Sequence, residues 1–299
     1  MYSDRENGIS LLVPTKNQEK TIELCIESFL DFADEIIVVD NGSIDNTVPI
    51  LKSLEKKIKK LKFYYVPELP DLPHNRQYAF KKSKFSWIVR IDSDYIAYTS
   101  GKNDIKKLRK KILDTDISVW PKAFGITQVN LYHDIYHTGL EKKNIKNKST
   151  FFVFPPVKQL KARIIQYFPG FKFKRLGLID GEIEPGRWEG VRFQRFLHHK
   201  QLEKPYWFHC EFKSKMEFFY RSERWNWRQI GDYEKFPTLQ SYINHIVKEK
   251  YNTSNLEKAA EKYMDENFFP YLQKYDPKKY YPYPELLKKM LSEPTEDLF

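Results

Sequence analysis

The first hundred residues alternate strand-length apolar runs with segments of helical periodicity, and this alternation constrains the fold more than any other feature. Strand–helix alternation with short connections predicts an α/β protein with a parallel sheet flanked by helices. Thr21 is expected to cap the first helix, and Asp45 or Asn46 the second. The predicted strands and helices, in chain order, are 9–13, 22–30, 36–39, 47–60, 62–66, 75–82 and 87–91.

Polar residues follow three of the predicted strands. Pro14 and Thr15 follow the first strand, a turn-rich run from Asp40 to Asp45 follows the second, and Asp92-Ser93-Asp94 follows the fourth. Parallel strands of such sheets place their carboxyl ends at one edge, where ligands bind. The sequence therefore predicts that these three segments meet at a binding site.

Composition excludes several classes of protein. The 299 residues favour two domains or one large one, and the 11 glycines include no Gly-x-Gly, so the dinucleotide fingerprint and the glycine-rich phosphate loop are both absent. The two cysteines, Cys25 and Cys210, are too few for a disulfide framework or a Cys-rich zinc site. Cys25 lies in an apolar helical pattern and is expected to be a buried thiol.

The net charge of +11 is concentrated in one segment. Residues 101–175 contain 17 Lys and Arg against 5 Asp and Glu. Such a block is typical of a solvated surface, of a nucleic-acid or anionic-polymer binding protein, or of contact with anionic lipid. No helix-turn-helix, zinc-finger or RNA-recognition signature accompanies it, so no nucleic-acid partner is expected. A basic nucleic-acid or anionic-polymer binding protein is the alternative function.

Asp92 and Asp94 are spaced to bind one hard cation. Alternate residues of an extended segment point the same way, so both carboxylates can face a single ion, and Mg²⁺ or Mn²⁺ commonly bridges such carboxylates to substrate phosphates. A capping turn is the structural alternative. A nucleotidyltransferase would use the same pair, but it usually needs a glycine-rich loop with an arginine, which residues 13–17 lack.

Together these motifs resemble glycosyltransferase family 2. The resemblance rests on Val13-Pro-Thr15, the run from Val39 to Thr47, Arg76 and Ile91-Asp-Ser-Asp94, and it covers residues 8–100. It implies a GT-A fold, a Rossmann-like, mixed and mainly parallel sheet flanked by helices. It also implies a nucleotide-sugar donor, a divalent cation (Mn²⁺ or Mg²⁺) and inverting transfer of a sugar to an acceptor hydroxyl.

The resemblance also implies roles for individual residues. Pro14 and Thr15 would border the base of the nucleotide, and Asp40 would pair with that base, usually uracil in this family. Arg76 would lie near the base and the diphosphate. Asp92 would contact ribose and metal, and Asp94 would be the direct metal ligand.

The second half of the chain departs from the processive members of the family. Residues 101–213 contain neither their Glu-Asp pair nor their Gln-x-x-Arg-Trp motif, which favours an enzyme that adds one sugar. An inverting transfer needs a carboxylate to take the acceptor proton. Glu189, beside Trp188, is the first candidate, and Asp180 and Glu182 are the next in the same Gly-rich stretch, which also contains Glu184.

Two histidine motifs also suggest site residues. His209 and Lys213, with a following arginine, resemble a feature of non-processive members. His209 would complete the metal shell and Lys213 would hold the diphosphate, although a buried structural histidine is the alternative. His133 and His137 have a spacing that could bind zinc on a helix, but the metalloprotease glutamate is absent.

The predicted organisation has two parts. Residues 1–213 form the GT-A domain, with a nucleotide-sugar half (1–100) and an acceptor half (101–213), and residues 214–299 form a helical C-terminal extension. The polar start and the absence of a spanning apolar run predict a cytoplasmic protein. A glycan or lipid-linked acceptor and peripheral contact with an anionic membrane are expected as partners.

Overall fold

The computed structural model describes residues 5–116, 122–140, 156–169, 172–174, 187–189 and 198–291. It has the α/β architecture that the alternation predicts. The strands and helices are β1 (Ile9–Thr15), α1 (Ile22–Ser28), β2 (Glu35–Asp40), α2 (Thr47–Lys57), β3 (Leu61–Tyr65), α3 (Leu72–Lys82), β4 (Trp87–Arg90), β5 (Tyr95–Ala97), α4 (Ile105–Leu113), β6 (Lys122–Tyr132), β7 (His137–Leu140), β8 (Val157–Gln166), β9 (Lys172–Lys174), β10 (Arg187–Glu189), β11 (His198–Glu211), α5 (Lys215–Ile230), α6 (Leu239–Glu249), α7 (Leu256–Asn267), β12 (Leu272–Lys274) and α8 (Glu285–Leu291).

Eight strands form one mixed sheet in the order β3-β2-β1-β4-β8-β6-β11-β5. The first four in this order are parallel, and β8 joins them antiparallel to β4. Helices connect the parallel strands, and α5 to α7 follow the sheet in the chain. This is a GT-A arrangement, a Rossmann-like sheet flanked by helices with a helical C-terminal extension.

Both faces of β1 and β2 are buried. Leu11 and Val13 belong to one apolar cluster, whereas the intervening Leu12 belongs to another that includes Ala79 and Phe80 of α3. A strand covered on both faces needs apolar residues at successive positions, which explains the continuous apolar runs.

Several element boundaries differ from the predictions for physical reasons. β1 continues through Pro14 to Thr15, because the parallel ladder with β2 extends to Asp40. α3 begins at Leu72, earlier than predicted, because Asp71 caps it through a bond from the His74 amide and Pro73 fits its first turn.

The two predicted helix caps have different outcomes. Thr21 is the cap residue of α1 by position, as predicted, but its side chain makes no capping bond, and its hydroxyl donates to the carbonyl of Ser93 at 3.2 Å. At α2, Asn46 is the cap residue by position but makes no capping bond with its side chain, whereas Oδ1 of Asp45 accepts from the Thr47 amide at 3.0 Å.

The chain divides into two compact units. The first comprises residues 1–129, 157–210 and 282–294, and the second comprises 130–156, 211–281 and 295–299. Segment 130–140 belongs to the helical unit because β7 pairs with β12 and His133 contacts the ring of Phe218. The division after residue 210 lies three residues before the predicted boundary at residue 213. The first unit also contains 282–294 from beyond that boundary, and the second contains 130–156 from before it.

The second unit has its own core, formed largely by aromatic side chains. Phe218, Phe219 and Trp227 of α5 are buried with Tyr263 and Phe268. In the part of the chain that the structure describes, no helix is long and apolar enough to cross a bilayer.

Candidate nucleotide-sugar site

Three loops lie at the carboxyl edge of the parallel strands. Thr15 at the end of β1 pairs with Asp40 at the end of β2. On the other side of β1, the Ile91 amide donates to the carbonyl of Leu12 at 3.2 Å, which places the segment Asp92–Asp94 at the same edge. The polar segments that follow β1, β2 and β4 therefore share one edge of the sheet.

Hydrogen bonds join the loop after β1 to the two loops beside it. The Asn17 amide donates to Ser43 Oγ at 2.7 Å, and the Ile44 amide donates to Asn17 Oδ1 at 2.9 Å. Asn17 has a φ of 52°, a left-handed conformation that asparagine tolerates better than most residues. Thr21 bonds the loop after β4 through Ser93. The three loops consequently form one connected rim.

Asp40 organises the turn that follows its own strand. Its side chain is fully buried, and Oδ1 accepts from the amides of Gly42 at 2.9 Å and Ser43 at 2.8 Å. Oδ2 accepts from the Ser43 hydroxyl. Gly42 has a φ of 96°, which glycine adopts without strain. Asp40 therefore holds the rim where the base was predicted to bind, and its hydrogen bonds in this structure are to the turn.

Beside the ends of β1 and β2, several buried polar atoms have no hydrogen-bond partner among the described residues. They include Thr15 Oγ1, Asn75 Oδ1 and Asp71 Oδ2. The side-chain amide of Asn75 donates to the carbonyl of Val39 at 2.8 Å, so its oxygen is oriented by the end of β2. Buried polar groups without partners are costly and are common at ligand sites. The sequence predicted Thr15, whereas Asp71 and Asn75 were missed because they resemble ordinary helix-start residues.

Asp92 lies between two arginines. Arg76 of α3, only 2% exposed, donates from Nη2 to Asp92 Oδ1 at 2.6 Å. Arg163 of β8 approaches the other oxygen, with Nη2 3.7 Å from Oδ2. Burial raises the pKa of Asp92, but the positive charges of Arg163 and Arg76 outweigh it, and the pKa lies well below its usual range. The Asp92 carboxylate is therefore firmly ionised.

Arg90 and Arg163 were not singled out in the sequence. Arg90 ends β4, and its pKa is lowered by burial and by the charges of Arg163 and Arg76. An arginine within the buried run 87–91 was a usable signal, because a buried charge needs a partner. Arg163 offered no such signal, since it is one of 17 basic residues in its segment.

Asp94 has one carboxylate oxygen available to a ligand. Its Oδ2 lies 3.4 Å from Nε2 of His209, whereas Oδ1 is buried without a hydrogen-bond partner in the described structure. Two contacts hold the backbone carbonyls of this loop. The Cys210 amide donates to the Asp94 carbonyl at 2.8 Å, and the Cys25 thiol contacts the Asp92 carbonyl. Cys25 is fully buried, as predicted.

These residues fit a divalent cation only in part. Mg²⁺ binds through one or two carboxylates and substrate phosphates, and the buried Oδ1 of Asp94 matches that donor type. Asp92, by contrast, is engaged by Arg76. Over the described ranges, no group of three or more His, Cys, Asp and Glu side chains is placed to hold a metal. His133 and His137, which are among the described residues, therefore belong to no such group. Nδ1 of His137 forms a hydrogen bond with Oδ2 of Asp134 at 2.7 Å.

The remaining predicted residues have different placements. Asp180 and Glu182, like Glu184, lie outside the described residues. Glu189 ends β10, where its backbone pairs with Lys172 of β9. β9 is joined to α3, because the Phe173 amide donates to Gln77 Oε1 at 2.6 Å. Lys213 belongs to the second unit, where its Nζ lies 3.9 Å from Glu217 Oε1.

The comparison with known families agrees with the fold. The family model for Glycosyl transferase family 2 matches residues 10–166, which is more than half of the chain and includes the three loops of the rim. This chain belongs to glycosyl transferase family 2.

Individual relatives share only part of the chain. An uncharacterized glycosyltransferase of Rickettsia typhi is 39% identical over 88 residues, which are 29% of this chain and 27% of the relative. An uncharacterized protein of Methanocaldococcus jannaschii is 30% identical over 121 residues, 38% of this chain and 50% of that protein. The chain spans half or less of the length of these relatives.

Two further similarities are more remote. A Campylobacter jejuni enzyme, GalNAc(5)-diNAcBac-PP-undecaprenol beta-1,3-glucosyltransferase, is 25% identical over 149 residues, 48% of this chain and 47% of the enzyme. Among solved structures, S. aureus TarS in complex with UDP-GlcNAc aligns with 75% of this chain and 67% of its own, at 17% identity and a TM-score of 0.39.

Proposed function

We propose that this chain transfers a single sugar from a nucleotide-sugar donor, a UDP-sugar first, to an acceptor hydroxyl with inversion at the anomeric carbon. The observation that carries the proposal is that two carboxylates follow β4 at the rim. Oδ1 of Asp94 is buried without a hydrogen-bond partner among the described residues, and Asp92 is held by two arginines. This rim lies within the segment that matches the family.

We assign the nucleotide to the edge formed by β1 and β2. Pro14 and Thr15 would border the base, with the turn that Asp40 shapes beside them. Thr15 Oγ1 and Asn75 Oδ1, which have no hydrogen-bond partner in the described part of the chain, are candidate partners for the base and ribose. The geometry supports this assignment because these oxygens are fixed in place before any ligand arrives.

We assign the diphosphate and its cation to the edge formed by β4 and its neighbours. Asp94 would be the main protein ligand, with His209 and Asp92 completing the predicted set, and Arg76 would meet the phosphate charge. A bound Mn²⁺ or Mg²⁺ would offset the negative charge on the leaving diphosphate. Lys213 remains a predicted diphosphate contact.

The proton from the acceptor hydroxyl needs a carboxylate opposite the leaving group. We propose Glu189 for this role, with Asp180 and Glu182 as the alternatives. The support is that β10, which ends at Glu189, pairs with a strand bonded to α3, the helix that carries Arg76. The acceptor oxygen would attack the anomeric carbon as the bond to the diphosphate breaks.

We further propose that the acceptor is a glycan or a lipid-linked precursor and that the protein works at an anionic membrane surface. The name of the Campylobacter relative includes an undecaprenol-linked substrate. Helix α4 buries Ile105 and Leu108 and exposes several lysines of the basic segment. Co-sedimentation with vesicles should rise with anionic lipid content, and binding insensitive to that content would exclude the membrane contact.

One thermal-shift experiment tests the central proposal. The melting temperature is measured with UDP, ADP, GDP, CDP or dTDP, each with Mn²⁺, with Mg²⁺ or with EDTA. Because a ligand that binds only the folded state stabilises it, one diphosphate should raise the melting temperature most when the metal is present. Absence of a shift with every nucleotide would overturn the proposal. A hydrolysis screen across nucleotide sugars would then identify the donor.

A further inference from the structure

We propose that Arg163 of β8 is a second binding residue for the donor diphosphate, acting from the side of Asp92 opposite to Arg76. This inference rests on the proposed function and extends it to a residue outside the motifs at the rim. It also gives Asp92 a positioning role, in which one carboxylate aligns two guanidinium groups.

The strand register brings Arg163 to the rim. β8 runs antiparallel to β4, and Val89 pairs with Ile164, so Arg163 lies one position further along, next to Arg90. Two arginines that face each other across neighbouring strands repel, and the arrangement destabilises a sheet unless anions offset it.

Arg163 leaves most of its donors unused. Its Nη2 donates to the Tyr95 hydroxyl at 3.0 Å and lies 3.7 Å from Asp92 Oδ2. Nε and Nη1 have no hydrogen-bond partner within the described ranges, and the same atoms of Arg76 are buried without one. A guanidinium has five N–H donors in a planar fork that matches phosphate oxygens. These donors are therefore available to an oxyanion.

An arginine with a purely structural role looks different in this protein. Arg109 directs its fork at one carboxylate, with Nη1 2.8 Å from Asp34 Oδ2 and Nη2 2.8 Å from Asp34 Oδ1. It also donates to the carbonyl of Phe32 at 2.7 Å. Arg163 makes no such two-pronged contact with Asp92. The contrast indicates that Asp92 aligns Arg163 without saturating it.

Asp92 and Arg163 are partly exposed to solvent. The side chain of Asp92 is 30% exposed and that of Arg163 is 13% exposed, whereas Arg76 behind them is 2% exposed. A diphosphate entering beside Asp92 would meet Arg163 first and would bring negative charge to a positive cluster. Charge-assisted hydrogen bonds to phosphate are among the strongest that proteins make.

Calorimetric titrations test the proposal. Wild type and Arg163→Met are titrated with UDP and with uridine, each in Mn²⁺ and in EDTA, and their affinities are compared in the condition in which the wild type binds UDP. If another diphosphate stabilises the wild type more, that diphosphate and its nucleoside replace UDP and uridine. Loss of charged hydrogen bonds should weaken UDP binding roughly 10- to 100-fold. Uridine affinity should stay the same, because uridine has no phosphate.

Two further variants keep the test informative if Arg163→Met is poorly folded. Arg163→Lys retains the charge but loses the fork, so its UDP affinity should fall between those of wild type and Arg163→Met. Arg109→Met breaks the other Arg–Asp pair of the same unit and should leave the ratio of UDP to uridine affinity unchanged. Melting temperatures of all variants report folding independently.

The outcomes separate this inference from the function beneath it. If the wild type binds no nucleoside diphosphate with or without metal, the proposed function is wrong. If it binds UDP and Arg163→Met keeps the wild-type ratio of UDP to uridine affinity, the role of Arg163 is overturned while the proposed function stands. An equal loss of both ligands would identify Arg163 as structural only.

Discussion

The guanidinium of Arg76 donates to the carboxylate of Asp92 across 2.6 Å, which joins helix α3 to the loop after β4. Arg76 is almost completely buried, and Asp92 is the more exposed partner. A buried arginine needs such a counter-charge. Asp92, which the sequence predicts to contact a metal, is thus the ion-pair partner of Arg76 in this structure.

This pairing predicts how stability depends on pH. Asp92 has a folded-state pKa below its unfolded value of about 3.9, so its contribution to stability is present above that pH and is lost as pH falls. Asp92→Asn should flatten the loss of unfolding free energy between about pH 4 and pH 2. Urea unfolding of both proteins across this pH range measures the difference in unfolding free energy. Solvent screening at the partly exposed Asp92 carboxylate limits the size of that difference.

The control is an exposed ion pair. Asp114→Asn removes the partner of Lys110 at the surface and should change the unfolding free energy little, because solvent screens exposed ion pairs. If Asp92→Asn loses unfolding free energy at low pH as steeply as the wild type, the ion pair between Arg76 and Asp92 does not persist in solution.

Asp94→Asn should remove the metal-dependent part of nucleotide stabilisation. An amide has one neutral oxygen in place of a carboxylate, and hard cations prefer carboxylate oxygens. At a nucleotide concentration 100 times its Kd, the lost stabilisation should be about 2.7 kcal/mol for a wild type that binds only with metal. Thermal shifts with UDP, in Mn²⁺ and in EDTA, measure it, and a variant that responds like the wild type would exclude Asp94 as a ligand.

Ser43→Ala should loosen the rim. The Ser43 hydroxyl donates to Asp40 and accepts from the Asn17 amide, so its loss leaves a buried carboxylate and a half-buried amide short of a partner. The expected cost is about 1–3 kcal/mol of unfolding free energy, with weaker nucleotide binding. Ser53→Ala, on the exposed face of α2, is the matched control and should have little effect. Equal stability of the two variants in urea would contradict the prediction.

Glu223 should be essential to the helical unit. It is fully buried, and the hydroxyls of Tyr242 and Tyr251 donate to it at 3.3 and 3.4 Å while Lys250 lies 3.5 Å away. Glu223→Ala leaves these groups without their acceptor and should cost about 3–5 kcal/mol. Glu249→Ala, exposed on α6, is the control in urea unfolding. A small effect at Glu223 would mean that the tyrosines find other acceptors.

Burial also raises the pKa of Tyr263 in this unit, to about 12. Its hydroxyl should therefore stay protonated in alkali until well above pH 10. Absorbance titration near 295 nm, comparing wild type with Tyr263→Phe, assigns this tyrosine. Ionisation with an ordinary pKa would show that the unit is open to solvent.

Prediction from sequence succeeded where the determining forces are local. Strands β1, β2 and β4 were found because each is a short apolar run, and Asp40 to Asp45 was found because its residues favour turns. The placement of Asp92 and Asp94 at the edge of the sheet followed from the direction of parallel strands. The side chain of Thr21 makes no capping bond, and its hydroxyl donates to the Ser93 carbonyl in a tertiary contact.

The amino-acid sequence on its own determined the α/β class and the acidic rim, since both depend on periodicity and turn chemistry within a few residues. Only the tertiary structure decided which charges meet there. Arg163 reaches the Tyr95 hydroxyl from 68 residues further along the chain, through a strand that pairs antiparallel with β4. Such a pairing depends on strand register and burial, and neither can be predicted from the residues next to Arg163 in the sequence.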